Sequence, residues 1–439
     1  MNPISETTAR FSPYQGWNSY DYYCTEVTEE EVLANAAVMA KELKSYGWEY
    51  VVIDISWYEK KAGSRSREFQ YLPFADLCMD EYARLIPDPE RFPSSKDGQG
   101  FKPLSDKIHQ QGLKFGIHIM RGIPRLAAHL HRPILLDDAN TVDAAEIADP
   151  SNICSWNPYM YGLRPEHPMA QAYYDSIMKL YASWGVDYIK CDDICREDAP
   201  SAHQEIAMLH QAISRCGRDI VLSLSPGPAK ITEDTHYQEN ANLWRITDDF
   251  WDTWPLLKEM FRRAELWQGK ALPGHYPDFD MLPVGIIGGR FGEKKERRTG
   301  FSEEEQRTMM SLWCIFGAPL MIGGELTRLD PFTLDLLTRK DILDMLPYGL
   351  YARQLKRTSE EAVWASCSPD QKTCYLALFN LSDEERAMNF WTAELKAAGL
   401  YSEPVEAYQE LWSGRAGKSA GGAIAETVPA HGVRLIRIG

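Results

Sequence analysis

Through roughly the first three-quarters of the chain, short apolar runs alternate with amphipathic stretches. The runs expected to be strands lie at 13–20, 50–56, 113–120, 187–192, 220–225, 243–247, 279–282 and 319–323. Several are near-continuous Val/Ile/Leu segments, the pattern of parallel strands buried on both faces. The helical stretches between them carry their own punctuation. Thr28 with Glu31 forms a capping box in a stretch stopped by Gly47, and Ser302 with Glu305 opens another before 308–316. Gly112, Gly185 and Gly217 each end a helical pattern just ahead of a strand. Eight strand–helix alternations predict an α/β fold, a (β/α)8 TIM barrel rather than an open sheet. The seventh strand has the weakest pattern.

The pattern changes near Tyr351. Strand-like pieces at 362–366, 373–380, 387–391, 405–411, 423–428 and 433–438 follow one another without long helices, separated by turns such as Ser413-Gly414 and His431-Gly432. They predict a C-terminal antiparallel β-sandwich. The chain is accordingly divided into a barrel over 1–348 and a sandwich over 349–439, with the sandwich expected to be structural. No repeat or low-complexity segment interrupts either part.

Composition narrows the function. Of 439 residues, 44% are hydrophobic and 25% charged, as in a folded globular protein. Acids outnumber bases 63 to 47, a formal charge of −16, which argues against a nucleic-acid partner. The dense basic run Lys294-Lys295-Glu296-Arg297-Arg298 is expected to be a solvated face. No apolar run is long enough for a membrane span, and the first residues lack the basic and apolar regions of a secretory signal. Nine scattered cysteines are therefore expected to be reduced thiols of a cytoplasmic protein. Cys191 and Cys195, without a second ligand pair, make a poor zinc site. A surplus of Trp (13) and Tyr (22) suits a sugar-binding cleft, though much of it must be core.

In a (β/α)8 barrel the working residues sit at the carboxyl ends of the strands. Here acids close three of them: Asp54 after Ile53, Asp192 and Asp193 after Cys191, Asp248 and Asp249 after Thr247. Side chains alternate along a strand, so Lys190 and Asp192 share one side, as do Arg245, Thr247 and Asp249. Asp193 and Asp248 have the opposite parity and are expected to face or cap helices. A cation beside Asp192 keeps that carboxylate ionised, as a nucleophile or an electrostatic stabiliser requires. Paired carboxylates across a barrel mouth suit glycoside hydrolysis: about 5–5.5 Å apart for retention, about 6.5–9.5 Å for inversion. Rim acids can equally cap helices, pair with bases or bind a divalent metal. The scattered His118, His203, His210 and His275 do not form the ligand set a metal hydrolase needs, so no metal is expected.

At these residues the chain resembles glycoside hydrolase family 27, the α-galactosidases and α-N-acetylgalactosaminidases. The resemblance rests on Gly16-Trp17-Asn18-Ser19, Lys190-Cys191-Asp192, and Trp244-Arg245 followed by Asp249. Lys114-Phe115-Gly116-Ile117, Asp278-Phe279-Asp280-Met281, Gly317 to Gly323 and the tail from Glu410 to Val433 add to it, so it runs in order along nearly the whole chain. It implies a retaining, cofactor-free enzyme with Asp192 as nucleophile and Asp249 as general acid/base. It also implies that Lys190 contacts sugar hydroxyls, that Arg245 serves the 2-substituent, that Asp54 binds the O4 and O6 side, and that Trp17 belongs to the site.

The departures bear on substrate. The family's usual second acid after Asp54 is Ile55 here, Tyr20 stands where Trp is common, and His118 where Tyr is common. An Ile offers no hydrogen bond to a C6 hydroxyl. Ser225, at the end of strand five, is the small residue found in members that accept an acetamido group. The resemblance thus implies an exo-acting α-D-galactosidase first, with β-L-arabinopyranosidase (Ile55) or α-N-acetylgalactosaminidase (Ser225) as alternatives, and a non-catalytic carbohydrate-binding protein as the alternative of another class. The expected partner is a terminal galactosyl or arabinopyranosyl oligosaccharide, with no nucleic acid and no membrane; a homo-oligomer stays open.

Overall fold

The protein is described by a computed structural model covering residues 12–63, 71–137, 140–196, 199, 201–288 and 296–439. Eight parallel strands form the barrel: β1 Gln15–Asn18, β2 Tyr50–Ile53, β3 Lys114–Met120, β4 Tyr188–Asp192, β5 Val221–Leu224, β6 Leu243–Arg245, β7 Tyr276–Asp278 and β8 Leu320–Ile322. They neighbour one another in the order β7-β6-β5-β4-β3-β2-β1-β8. The seventh strand is where pattern and structure differ. Its paired segment begins at Tyr276, three residues earlier than expected, and ends at Asp278, and the chain pairs with β8 at Leu282. There a parallel bridge to Ile322 closes the ring, with Leu282 N donating to Met321 O at 2.7 Å and Gly323 N to Leu282 O at 3.0 Å.

The helices follow in turn: α1 Glu29–Val38, α2 Lys102–Gln110, α3 Ala170–Ser183, α4 Ala202–Arg215, α5 Asp234–Asn240, α6 Trp254–Trp267, α7 Glu303–Phe316 and α8 Pro331–Thr338. Both expected capping boxes form, Thr28 with Glu31 and Ser302 with Glu305. Gly47, Gly112, Gly185 and Gly217 all adopt positive φ, the left-handed geometry that stops a helix. No helix among the described residues is long and apolar enough to cross a membrane.

Strand parity separates two environments. Residues of one parity (Val51, Ile53, Ile189, Cys191, Trp244, Ile246) join the core between strands and helices. Those of the other line the bore. Its lower part is closed by an apolar layer including Tyr14, Tyr50, Tyr188 and Tyr276, with Tyr14 set edge-on to Tyr50 and Tyr276 at 5.8 and 6.2 Å. Above that floor the same parity delivers Asp54, Lys190, Asp192 and Arg245 to the rim.

The C-terminal unit is an antiparallel β-sandwich. One sheet orders β9 Arg353–Arg357, β10 Glu361–Cys367, β11 Cys374–Asn380, β16 Val433–Ile438, β13 Ala407–Glu410 and β14 Ala416–Lys418; the other pairs β12 Arg386–Trp391 with β15 Ala423–Val428. The face of the larger sheet that carries Val363, Leu376 and Ile436 packs on Met388, Phe390 and Ile424 of the smaller. The opposite face packs on the barrel: Phe379 lies edge-on to Phe261 at 4.9 Å, and His431 stacks on Trp254 at 3.8 Å. Where all nine cysteines were expected to be reduced, Cys367 and Cys374 form a disulfide, because the β10–β11 register places them directly opposite each other. In the basic run, Lys294 and Lys295 lie outside the described residues, while Arg297 and Arg298 pair with Asp252 and Asp330.

Candidate active site

A cavity of about 510 Å³ opens at the carboxyl ends of the strands. Asp54, Ile55, Tyr20, Lys190, Asp192, Arg245 and Asp249, all singled out in the sequence, line it.

One side of the cavity is a chain of fully engaged charges. Asp54 is held by its surroundings: its N donates to Ser19 Oγ (3.0 Å), its Oδ2 accepts from Asn18 Nδ2 (2.7 Å) and Lys190 Nζ (2.9 Å), and its Oδ1 accepts from Ile55 N (2.8 Å). Burial would raise its pKa, but Lys190 and then His118 outweigh burial and hold it below the usual carboxylate range. Burial would likewise strip Lys190 of its proton; Asp54 and Asp192 keep its ammonium pKa above the ordinary value.

Asp192 closes β4. His118 Nε2 lies 2.7 Å from Oδ2 and donates to it, and Ser225 Oγ donates to Oδ1. Burial opposes ionisation here too, but the Lys190 charge, then the His118 charge and hydrogen bond and the Ser225 hydrogen bond, push the pKa well below the carboxylate range. A carboxylate held ionised in this way has the protonation state that nucleophilic attack requires.

Asp249 sits in the opposite environment. Its side chain is 63% exposed, against 11% for Asp192. It is tethered by Arg245, whose Nη2 donates to Asp249 Oδ1 at 2.8 Å while Nη1 donates to Asp280 Oδ1, also at 2.8 Å. Asp280, in the left-handed region at φ +75°, takes a further hydrogen bond from Phe250 N (2.9 Å). Arg245 therefore ties the ends of β6 and β7 together at the rim.

Three sequence expectations land elsewhere. Trp17 is fully buried in the core, edge-on to Tyr23 at 6.2 Å, with Nε1 donating to Gly324 O at 2.9 Å; it is not among the lining residues. The reason is parity, since Gly16 and Asn18 take the bore side of β1. His118 and Ser225 are also buried and stand behind Asp192 rather than in the cavity wall. Of the two rim acids of opposite parity, Asp193 does turn away, paired with Arg121 at 2.7 Å. Asp248 does not: the strand ends at Arg245, alternation lapses, and Asp248 lines the mouth, paired with Arg196 at 2.6 Å.

The wall also holds residues that sequence reasoning did not assign: Asp21, Tyr71, Trp156, Trp251 and Asp280. Asp280 lay in a quoted motif and Asp21 adjoins Tyr20. Tyr71 and Trp156, edge-on at 5.6 Å, come from the long excursions after β2 and β3, where no periodic signal marks them. A closed barrel with an ionised carboxylate in its wall, a second at its mouth and aromatic rings around them is the architecture of an enzyme that cleaves glycosides.

Comparison with known proteins agrees. Residues 164–346 match the family described as alpha galactosidase A, and 358–438 match the alpha galactosidase C-terminal beta sandwich domain. A GH27 β-L-arabinopyranosidase from Geobacillus stearothermophilus is 47% identical, with 98% of this chain and 96% of that one covered and a TM-score of 0.91. A Bacillus halodurans structure provisionally assigned as an α-N-acetylgalactosaminidase is 44% identical (coverage 100% and 99%, TM-score 0.86). Alpha-galactosidase 2 of Arabidopsis thaliana is 26% identical over 91% of this chain and 83% of its own length. The chain belongs to glycoside hydrolase family 27 and is a glycosidase.

Proposed function

We propose that the enzyme is a retaining exo-glycosidase that releases terminal β-L-arabinopyranose. Ile55 carries this reading. It lines the cavity beside Asp54, with no second carboxylate next to it in the chain, so this stretch of wall offers a hydroxymethyl group contact but no acceptor. β-L-Arabinopyranose keeps the galacto arrangement of ring hydroxyls and lacks that group. The Geobacillus β-L-arabinopyranosidase, also solved in complex with arabinose, supports the reading at 46–47% identity over essentially the whole chain. The α-D-galactosidases are more distant at 24–26%. An acetamido sugar is less well served, because Ser225 stands behind Asp192 with its hydroxyl committed to that carboxylate.

In this mechanism Asp192 attacks the anomeric carbon and forms a glycosyl ester as the bond to the aglycone oxygen breaks. Asp249 gives that oxygen its proton, then removes one from the water that cleaves the ester. The environments fit these roles. The nucleophile is buried and kept charged, whereas the acid/base sits at the mouth where it can exchange protons with solvent. Lys190 and Asp54 meet ring hydroxyls.

Initial rates on the nitrophenyl β-L-arabinopyranoside, α-D-galactoside and N-acetyl-α-D-galactosaminide test the substrate, with the arabinoside expected to lead by tenfold or more. Proton NMR of the first-formed sugar tests the stereochemistry. An arabinoside that trails either competitor, or an inverted anomer, would remove the corresponding half of the proposal.

A further inference from the structure

Asp21 lines the cavity and, unlike Asp248 and Asp280, has no ion-pair partner among the described residues. It lies one residue past Tyr20, in the turn after β1, and is only 1% exposed. Its Oδ2 is buried without a hydrogen-bond partner among the described residues. The neighbouring cations are engaged elsewhere: Lys190 Nζ holds Asp54, and both terminal nitrogens of Arg245 hold Asp249 and Asp280. The fold makes room for this side chain, since a Cβ on Gly323, just past β8, would fall 2.8 Å from the Asp21 Cβ. A carboxyl seated at the rim with one buried oxygen unpaired lowers the stability of the empty protein, and the adjoining cavity receives a molecule whose surface is mostly hydroxyl donors.

We propose that Asp21 is a substrate-binding residue of the cavity, accepting a hydrogen bond from one ring hydroxyl of the bound sugar. This rests on the reading of the cavity as the site of a terminal galacto-configured sugar, and deepens it by adding a third polar contact to those of Asp54 and Lys190. Burial, then repulsion from Asp280, raises the Asp21 pKa well above the ordinary carboxylate value, in keeping with a group that lacks a cation of its own. The sugar hydroxyl, rather than a protein donor, completes the shell.

The test compares wild type with Asp21→Ala and Asp21→Asn on nitrophenyl glycosides of the preferred sugar and of its 2-, 3- and 4-deoxy forms. Wild type should lose about 10- to 100-fold in kcat/KM on one deoxy substrate through the unpaired carboxyl. Asp21→Ala should lose that factor on the parent sugar and discriminate no further against that one deoxy form, while keeping wild-type ratios for the other two. Asp21→Asn, which retains an acceptor oxygen, should restore part of the discrimination. The thermal midpoint of the empty enzyme should rise by about 1–3 °C in Asp21→Ala, as an unmet buried group is removed. Unchanged deoxy ratios, or equal losses on every substrate with a lowered midpoint, would overturn the proposal. Because ratios are taken within each enzyme, the result stands apart from whether the parent sugar proves to be the arabinoside or the galactoside, which wild type alone decides.

Discussion

Replacing Ile55 by aspartate should convert the enzyme toward galactosides. The side chain is 2% exposed and faces the cavity beside Asp54, whose own oxygens are already taken by Asn18, Lys190 and the Ile55 amide. A galactoside seated here would press its hydroxymethyl group on the Ile and leave that hydroxyl without a partner. The penalty is about 1–3 kcal/mol, or about 5- to 150-fold in kcat/KM. Ile55→Asp supplies an acceptor and should recover much of that factor for α-D-galactoside while slowing the arabinoside. The substitution has a structural cost: removing a buried Ile forfeits about 1.5–3 kcal/mol, and the new charge adjoins Asp54, with Lys190 as the shared cation. Ile55→Asn is the matched control, carrying an acceptor without the second charge. The assay is the ratio of kcat/KM for the two nitrophenyl glycosides, measured on protein shown to be folded by its thermal transition. A ratio that stays at the wild-type value in both folded variants would refute the claim that Ile55 reads the C6 position.

Asp192→Ala should lower kcat by at least about 10³-fold, with azide restoring turnover as a glycosyl azide; near-wild-type rates would exclude Asp192 as nucleophile. Asp249→Ala should slow substrates with poor leaving groups far more than activated aryl glycosides, and equal losses on both would count against an acid role. His118→Phe removes a charge-assisted hydrogen bond worth about 1.5–3 kcal/mol to Asp192, so kcat should fall about 10- to 150-fold with KM little changed, which steady-state kinetics would show. Burial and then the Asp280 charge push the Asp278 pKa up to about 6. The folded protein therefore holds this proton up to that pH while the unfolded chain releases it near 4, so stability falls as pH rises between the two. Asp278→Asn should relieve up to about 3 kcal/mol at pH 7 and much less at pH 4; denaturant unfolding showing one difference at both pH values would contradict this.

Much of the scaffold was legible because parallel strands buried on both faces leave an apolar signature and the helix ends are marked by capping boxes and positive-φ glycines. The seventh strand was misplaced by three residues for a physical reason. Its pairing is split, with Tyr276–Asp278 bonded to β6 and Leu282 alone bridging β8, so no continuous run announces it. In the site, alternation was enough to bring Lys190, Asp192 and Arg245 to the bore. The same rule applied to β1 would have turned Trp17 outward, between the inward Gly16 and Asn18. Alternation has no force beyond a strand's end, which is why Asp248 reaches the mouth and Ile55 reaches the wall against their parity. Tyr71 and Trp156 were beyond local reading, since loop excursions fold back over the barrel without any period.

The disulfide was missed for the opposite kind of reason. Cys367 and Cys374 are opposite each other only once the β10–β11 register is known, and register follows from the hairpin as a whole. The sandwich as a whole braces the barrel. Phe379 of β11 packs on Phe261 of α6, and Thr308 of α7 donates to His431 O at 2.7 Å. The helices it braces are those that follow β6 and β7, the strands whose ends carry Arg245, Asp249, Asp278 and Asp280. Asp192, by contrast, is fixed from within the barrel by His118 and Ser225. The two carboxylates are therefore supported differently: the buried one by neighbouring strands, and the exposed one through Arg245 and a rim whose outer helices rest on the second domain. Weakening the Phe379–Phe261 contact should then affect the Asp249-dependent step before it affects Asp192.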